Sequence, residues 1–288
     1  MVGYMIDAHT HVFPDEIINN PAEYFSLDSE FELLYSKPGT RIDNGDQLIS
    51  SMRSSEISRS IACGFGWASN DLCVFGNNAI INLVNREPDK IIGFGTVSFA
   101  ESFDDGLAEI HRLSEQGIRG IGEIRADKQG FFNITDKEYT ALAQTLIENK
   151  LILLLHVSEP VGHQYPGKEG ARLELIEALL IKLKGVNVIL AHGGGGLPFY
   201  SYMPEVREYL DKVWFDTAAF PFLYEDDILK GLISAVGAEK ILFGSDFPLI
   251  SQEKVISYIE ASDINKDDKR RIFCDNLNHL LENNTFVG

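Results

Sequence analysis

Residues 151–157 read Leu-Ile-Leu-Leu-Leu-His-Val, five apolar side chains closed by one imidazole. Short runs of this kind alternate along the chain with longer stretches of helical period, the pattern of repeated βα units around a parallel sheet. Working outward from this run, strands are expected at 3–9, 59–65, 91–99, 118–124, 151–157, 186–192, 213–219 and 240–246. Amphipathic stretches lie between them at 46–56, 71–87, 103–116, 136–149, 172–184, 203–211 and 225–236, with further helices at 252–261 and 267–282. Eight strands with a helix in every gap fit an α/β fold of the (β/α)8 TIM-barrel type better than a doubly wound sheet of five or six strands. No internal repeat, low-complexity tract or linker divides the chain, so one domain over residues 1–288 is expected. The segment 12–45, with Pro14, Pro21, Pro38 and Gly39, is too long for an ordinary βα loop and reads as an irregular excursion over the barrel mouth.

In such barrels the active site forms at the C-terminal ends of the strands. The first strand ends in His9 and His11, two apart and so on one face, where both imidazoles can grip one ion. Glu123 ends the fourth strand, His156 the fifth, His192 the sixth and Asp246 the eighth. Any one of these has an ordinary explanation, a strand meeting solvent. Four histidines, a glutamate and an aspartate at one end of a barrel do not, and they are the donor types that Zn²⁺ and similar divalent ions prefer. Asp7 is placed to support the first strand from below. Arg125, two beyond Glu123, either faces the pocket to bind a substrate carboxylate or pairs with a local acid.

The motifs DAHTHVFP (7–14), GIGEI (120–124), LLLHVSEP (153–160), ILAHGGG (189–195) and LFGSDFP (242–248) resemble, in this order, those of the amidohydrolase superfamily, specifically its amidohydrolase-related branch. The resemblance implies a metal-dependent barrel hydrolysing amide, ester, lactone or related bonds, a subset of members instead catalysing non-oxidative decarboxylation. It implies His9, His11, His156 and Asp246 as metal ligands, with His192 a ligand of a second metal or a catalytic histidine. Glu123 resembles the bridging glutamate of TatD-like hydrolases, which implies two ions. In mononuclear members, the decarboxylases included, that bridge is typically absent, and Glu123 would then only accept a hydrogen bond. One or two ions are therefore expected, Zn²⁺ foremost, with Mn²⁺, Fe²⁺ or Co²⁺ also suited to a mixed N/O site.

Composition narrows the partners. With 25 basic against 43 acidic residues the net charge is −18, which repels phosphate backbones and argues against nucleic acid. Three cysteines without metal-type spacing indicate reduced thiols, no apolar run approaches a membrane span, and an ionisable Asp7 leaves no room for a signal core. A cytoplasmic protein without membrane contact is expected, with a homodimer as the default assembly. The stretch Gly162–Lys168 matches GxxxxGK, but Glu169 stands where a phosphate loop needs Ser or Thr and Pro166 removes an N–H. It reads instead either as an ordinary exposed loop or as one that covers the site, with His163, Tyr165 or Lys168 touching substrate. The string His192–Gly196 resembles an esterase oxyanion loop, yet no GxSxG nucleophile elbow exists. Trp67, Phe220 and Phe222 read equally as pocket walls or rim packing.

The leading expectation is a hydrolase in which a metal-activated water, deprotonated by Asp246 or His192, cleaves an amide, ester or lactone-type bond in a small molecule. The alternative is a metal-dependent decarboxylase of an unsaturated or aromatic acid. The loops at 12–45, 66–72 and 158–170 carry no pattern that translates into a substrate.

Overall fold

The computed structural model describes residues 4–168 and 172–284, so Gly3, expected to open the first strand, and Glu169 of the loop motif lie outside the described residues. β1 (Met5–His11) is followed by α1 (Asp15–Asn19), α2 (Pro21–Phe25), α3 (Ser29–Tyr35) and α4 (Gly45–Ser54). From there strands and helices alternate: β2 (Ile57–Cys63), α5 (Asn70–Arg86), β3 (Ile91–Gly95), α6 (Phe103–Glu115), β4 (Gly120–Ile124), α7 (Asp136–Glu148), β5 (Ile152–Leu155) and α8 (Leu173–Lys182). β6 (Val188–Leu190) leads through the glycine-rich segment His192–Tyr202 to α9 (Pro204–Tyr209), and β7 (Val213–Asp216) to α10 (Phe220–Leu223) and α11 (Ile228–Val236). After β8 (Ile241–Leu242) come α12 (Gln252–Ala261), α13 (Lys266–Arg270), a wide π turn at Arg271–Asp275 and α14 (Asn276–Asn283).

The eight strands lie in sequence order, each parallel to the next. The last gap is bridged just past β8, where Ala8 N donates to Phe243 O (2.7 Å), Asp246 N to His9 O (2.9 Å) and His11 N to Phe247 O (2.6 Å). The expected TIM barrel is thus present. An outer apolar layer lies between strands and helices, with Ile80, Ile110, Leu142 and Leu179 from the helices facing Leu153, Leu155 and Leu190 from the strands. A second cluster fills the barrel interior: Ile6, Ile61, Ile92, Phe94, Ile152, Leu154, Ile189 and Leu242 meet Leu277, Leu280 and Leu281 of α14. Arg119, just before β4, donates to the carbonyls of Leu281 (3.1 Å) and Asn284 (3.2 Å), so α14 stoppers the N-terminal end. Burying one such large apolar side chain is worth about 1.5–3 kcal/mol.

Two expectations need correcting. The 12–45 excursion is not irregular, because α1 to α3 wrap a largely aromatic apolar cluster that holds Phe13, Ile17, Phe31, Phe65 and Trp67. Seven residues are too few for an isolated helix. Asp28 supplies what α3 lacks: one carboxylate oxygen caps it through Glu30 N (2.9 Å) and Phe31 N (3.0 Å), and the other accepts Ala68 N (3.0 Å) from the loop after β2. The paired strands also stop short of the expected ends: the run expected as 240–246 pairs only at Ile241–Leu242, and 186–192 only at Val188–Leu190. Beyond those points the chain turns, with His192 and Asp246 both in the left-handed region (φ 56° and 65°). Trp67 and Phe220 are buried in rim packing, whereas Phe222 is exposed beneath Lys254.

Candidate metal centre

Two register shifts and two left-handed residues build the site. β1 slips against β2 between Asp7 and Thr10, so the strand that turns Ile6 and Ala8 into the apolar interior turns His9 and His11 to the mouth. β4 slips against β5 between Ile121 and Ile124, the stretch that holds Glu123. Gly122 makes that possible: its φ is +147° and a Cβ there would lie 2.4 Å from Leu154 O. Such irregularities re-aim side chains next to active sites. A non-glycine residue in a sparsely populated backbone region costs about 1–3 kcal/mol and persists only where its surroundings impose it. For His192 and Asp246 the constraint is visible, since His192 N donates to Asp216 Oδ1 (2.8 Å) and Asp246 N to His9 O. The run Gly193–Gly196 continues with four more left-handed residues, a turn that side chains would resist.

The result is a constellation of six donors, with His156 half-buried at its edge. His9 Nε2 and His11 Nε2 lie 3.0 Å apart. Asp246 Oδ1 is 3.4 Å from His11 Nε2 and 3.9 Å from His9 Nε2, while its Oδ2 is 3.7 Å from His192 Nε2. Glu123 Oε2 lies 3.6 Å from His11 Nε2, and its Oε1 lies 3.8 Å from His9 Nε2, 3.1 Å from His156 Nδ1 and 4.0 Å from His192 Nε2. Two compact trios result, His9/His11/Asp246 and His9/Glu123/His192. His156 stands beside Glu123 but in neither trio, its Nε2 meeting Ser158 Oγ (3.0 Å) and Gly167 O (3.2 Å).

Hydrogen bonds on the far side of each ring decide what faces the centre. His9 Nδ1–H donates to Asp216 Oδ2 (2.8 Å), His11 Nδ1–H to Gly64 O (3.2 Å) and His192 Nδ1–H to Val157 O (3.2 Å). Each leaves an Nε2 lone pair aimed inward, toward two carboxylates. Among the described residues no lysine or arginine pairs with Glu123 or Asp246. Converging lone pairs and anions of this kind suit a divalent cation, and without one the mouth collects protons. Burial opposes a charge on His9, but the carboxylates of Asp216, Glu123 and Asp246 outweigh it and raise its pKa to about 10. For His192 burial is likewise outweighed, by Asp246 and Glu123, and the pKa rises to about 9. Burial would favour the neutral acids of Glu123 and Asp246, but the surrounding imidazoles hold both well below the usual carboxylate range.

Asp216, at the end of β7, was not anticipated. It is fully buried, orients the His9 ring, and anchors the backbone of His192 and of Ala218 (3.0 Å). Its signal was present in Val-Trp-Phe-Asp, an apolar run ending in an acid, but the strand expected at 213–219 ran past it. Asp7 supports the site from below as expected, accepting from His9 N (3.1 Å), Ser245 N (2.9 Å) and Gln252 Nε2 (2.8 Å), with burial lifting its pKa to about 6.

The three residues expected to bind substrate are not gathered with the donors. Arg125 Nη1 pairs with Glu30 Oε2 of α3 (2.6 Å). Lys168 Nζ donates to its own loop, at Val161 O (2.7 Å) and His163 O (2.6 Å), so the Gly162–Lys168 stretch forms no phosphate cradle. His163 is exposed and rests against Tyr165, ring centroids 5.5 Å apart. Among the described residues no helix is long and apolar enough to cross a membrane.

The sequence profile of the amidohydrolase family matches residues 6–277. A 2-amino-3-carboxymuconate-6-semialdehyde decarboxylase of Dictyostelium discoideum is 24% identical over an alignment covering 91% of this chain and 88% of that protein. Among solved structures, the 5-carboxyvanillate decarboxylase of Novosphingobium aromaticivorans, complexed with manganese and 4-hydroxy-3-methoxy-5-nitrobenzoic acid, superposes with a TM-score of 0.75 at 20% identity, covering 98% of this chain and 97% of that one. A dihydroxybenzoic acid decarboxylase of Polaromonas, with manganese and the inhibitor 2-nitroresorcinol, gives 0.70 at 16% identity over 98% of each chain. These comparisons overturn the expectation of a hydrolase, because the relatives of named activity are decarboxylases.

Proposed function

Because the chain belongs to the amidohydrolase family, we propose that its barrel mouth is the centre of a metal-dependent, non-oxidative decarboxylase of an unsaturated or aromatic acid. The observation that carries this reading is the inward convergence of three imidazole lone pairs and two ionised carboxylates in a chain aligned along 91% of its length with a decarboxylase. His9, His11 and Asp246 would hold the cation. His9 has a single free lone pair and it belongs to both donor trios, so the trios describe the surroundings of one ion. Manganese, present in the solved relatives, is the first ion to test, ahead of the zinc expected from donor types.

A divalent cation held by these residues would supply Lewis-acid charge to an anionic acid and to the electron pair that decarboxylation leaves on carbon. The remaining work is proton delivery. Loss of carbon dioxide breaks one carbon–carbon bond, leaves its electron pair on the carbon and calls for one proton there, with no net oxidation. His192 is the carrier in this reading: Val157 O fixes its Nδ1–H, its Nε2 faces the mouth, and Asp246 Oδ2 lies 3.7 Å away to orient it. Glu123 holds His156 and completes the anionic wall. The test is incubation of manganese-loaded protein with 5-carboxyvanillate, 2,6-dihydroxybenzoate and 2-amino-3-carboxymuconate semialdehyde. Carbon dioxide release in proportion to acid consumed supports the reading; absence of release from all three counts against it.

A further inference from the structure

α3 touches the rim of the mouth at successive positions. Asp28 at its cap holds Ala68 N, Glu30 pairs with Arg125 and with Lys128 (2.9 Å), and Phe31 packs on Phe65 and Trp67, ring centroids 5.3 and 4.8 Å away. Leu34 lies over Gly167, where any side chain would come within 3.0 Å of it. The loops after β2, β4 and β5 thereby fix one short helix, whose last residue is Tyr35.

The Tyr35 ring is clamped by three neighbours, Phe13 at 5.2 Å edge-on, Phe31 at 4.9 Å and Phe65 at 6.0 Å between centroids. Two of these adjoin the metal centre along the chain: Phe13 lies two residues after His11, and Phe65 follows Gly64, whose carbonyl orients His11. The ring therefore packs on the residues that follow His11 and Gly64, close enough to the centre for the Asp246 and Glu123 carboxylates to act on it. Its hydroxyl has no hydrogen-bond partner among the described residues, and the residue is only half-buried. Burial, with the carboxylates of Asp246 and Glu123 adding to it, pushes the phenol far above its ordinary range, so the group keeps its proton and has it to donate. Two other phenols of the mouth loops are committed, Tyr165 and Tyr224 both donating to Glu159 at 2.7 and 2.6 Å.

We infer that the Tyr35 hydroxyl is a substrate-binding donor, giving its hydrogen bond to an anionic oxygen of the acid held at the His9/His11/Asp246 centre. The inference rests on the decarboxylase reading and makes it more specific. The aromatic cluster has a purpose beyond packing: it fixes a rigid donor whose ring costs little entropy to immobilise. A neutral donor adds no charge to compete with the cation for the surrounding carboxylates. It accepts the anion that the −18 net charge of the chain otherwise disfavours.

Tyr35→Phe keeps the ring and removes the donor. The probe is 4-hydroxy-3-methoxy-5-nitrobenzoic acid, whose nitrophenol absorbance reports both binding and the hydrogen bonding of its phenolate. Titrated into manganese-loaded wild type and variant, it should bind the variant on the order of tenfold more weakly, the scale of one hydrogen bond to a charged acceptor. The bound absorption band should differ between the two proteins, while manganese content and Tm should match. Equal affinity and an identical band would overturn the role of Tyr35 alone. Failure of the wild type to bind the probe would overturn the aromatic-acid reading and this role with it.

Discussion

The two ends of the barrel are built on opposite principles. At the N-terminal end, Ile6, Ile61, Ile92, Ile152 and Ile189 project inward in regular alternation and meet Leu277, Leu280 and Leu281 of α14. These side chains are buried against one another, and the register shift recorded at this end lies between Met5 and Ile6 of β1. At the C-terminal end the same strands slip, at Asp7/Thr10 and Ile121/Ile124, or turn left-handed, at His192 and Asp246. The side chains they present are two carboxylates and the imidazoles whose pKa values they raise, a donor set that suits a divalent cation. The bottom supplies stability that the mouth draws on, and ligand binding should repay it at the mouth alone.

The most severe way to break this division is at Asp246, the carboxylate proposed to serve both the cation and His192. Asp246→Asn keeps the shape and one ligand oxygen but removes the charge, so turnover on a responsive acid should fall on the order of 10²-fold or more while some manganese is retained. Near-normal turnover with metal bound would shift proton handling wholly to His192, and His192→Asn should then show the loss.

Asp216 sharpens the comparison, because it touches no substrate yet orients His9 and anchors His192. Asp216→Asn should weaken manganese affinity by about 10–100-fold, the usual scale for the partner of a ligating histidine, and isothermal titration reads it directly. Unchanged affinity would mean that His9 keeps its tautomer without the carboxylate.

Leu280→Ala belongs to the other end. Removing a buried leucine side chain should cost about 2–5 kcal/mol in chemical unfolding and leave the manganese affinity of the folded protein where it was. A large loss of affinity in this variant would show that the two ends are coupled.

The mildest effect concerns protons. In cation-free protein the pKa values of about 10 for His9 and about 9 for His192 lie above the unfolded histidine value of roughly 6.5. Their stabilisation is therefore fully present below that pH and lost as pH climbs toward 9 and 10. Chelator-treated protein should show a falling Tm across that window, and a rising one would reverse the assigned sign.

The same contrast explains what could be read from the sequence. The apolar runs and the helical periods between them carry the barrel because regular alternation and burial dominate most of its length, and the strand-end positions of His9, His11, Glu123, His192 and Asp246 follow from that frame. What escaped lies where local geometry departs from regularity. Asp216 was hidden because β7 ends three residues before its expected limit. The helices of the 12–45 segment are held by Asp28 reaching the loop after β2, a contact between residues 40 apart that no local pattern records. Arg125 was left between substrate and a local acid, and Glu30, which it meets, lies 95 residues away. The choice of hydrolysis over decarboxylation failed for a different reason: both chemistries draw on the same donor types, and it was the named relatives that separated them.

The most direct measurement is the Tm of purified, metal-stripped protein as manganese is added, for wild type beside His11→Ala. A ligand at one hundred times its Kd adds about 2.7 kcal/mol to the state that binds it, worth roughly 5–10 °C in a domain of this size. Wild type should gain that much and hold one ion per chain, while His11→Ala gains nothing. Equal gains in the two proteins, or no gain in either, would contradict the assignment of the barrel mouth as the cation site.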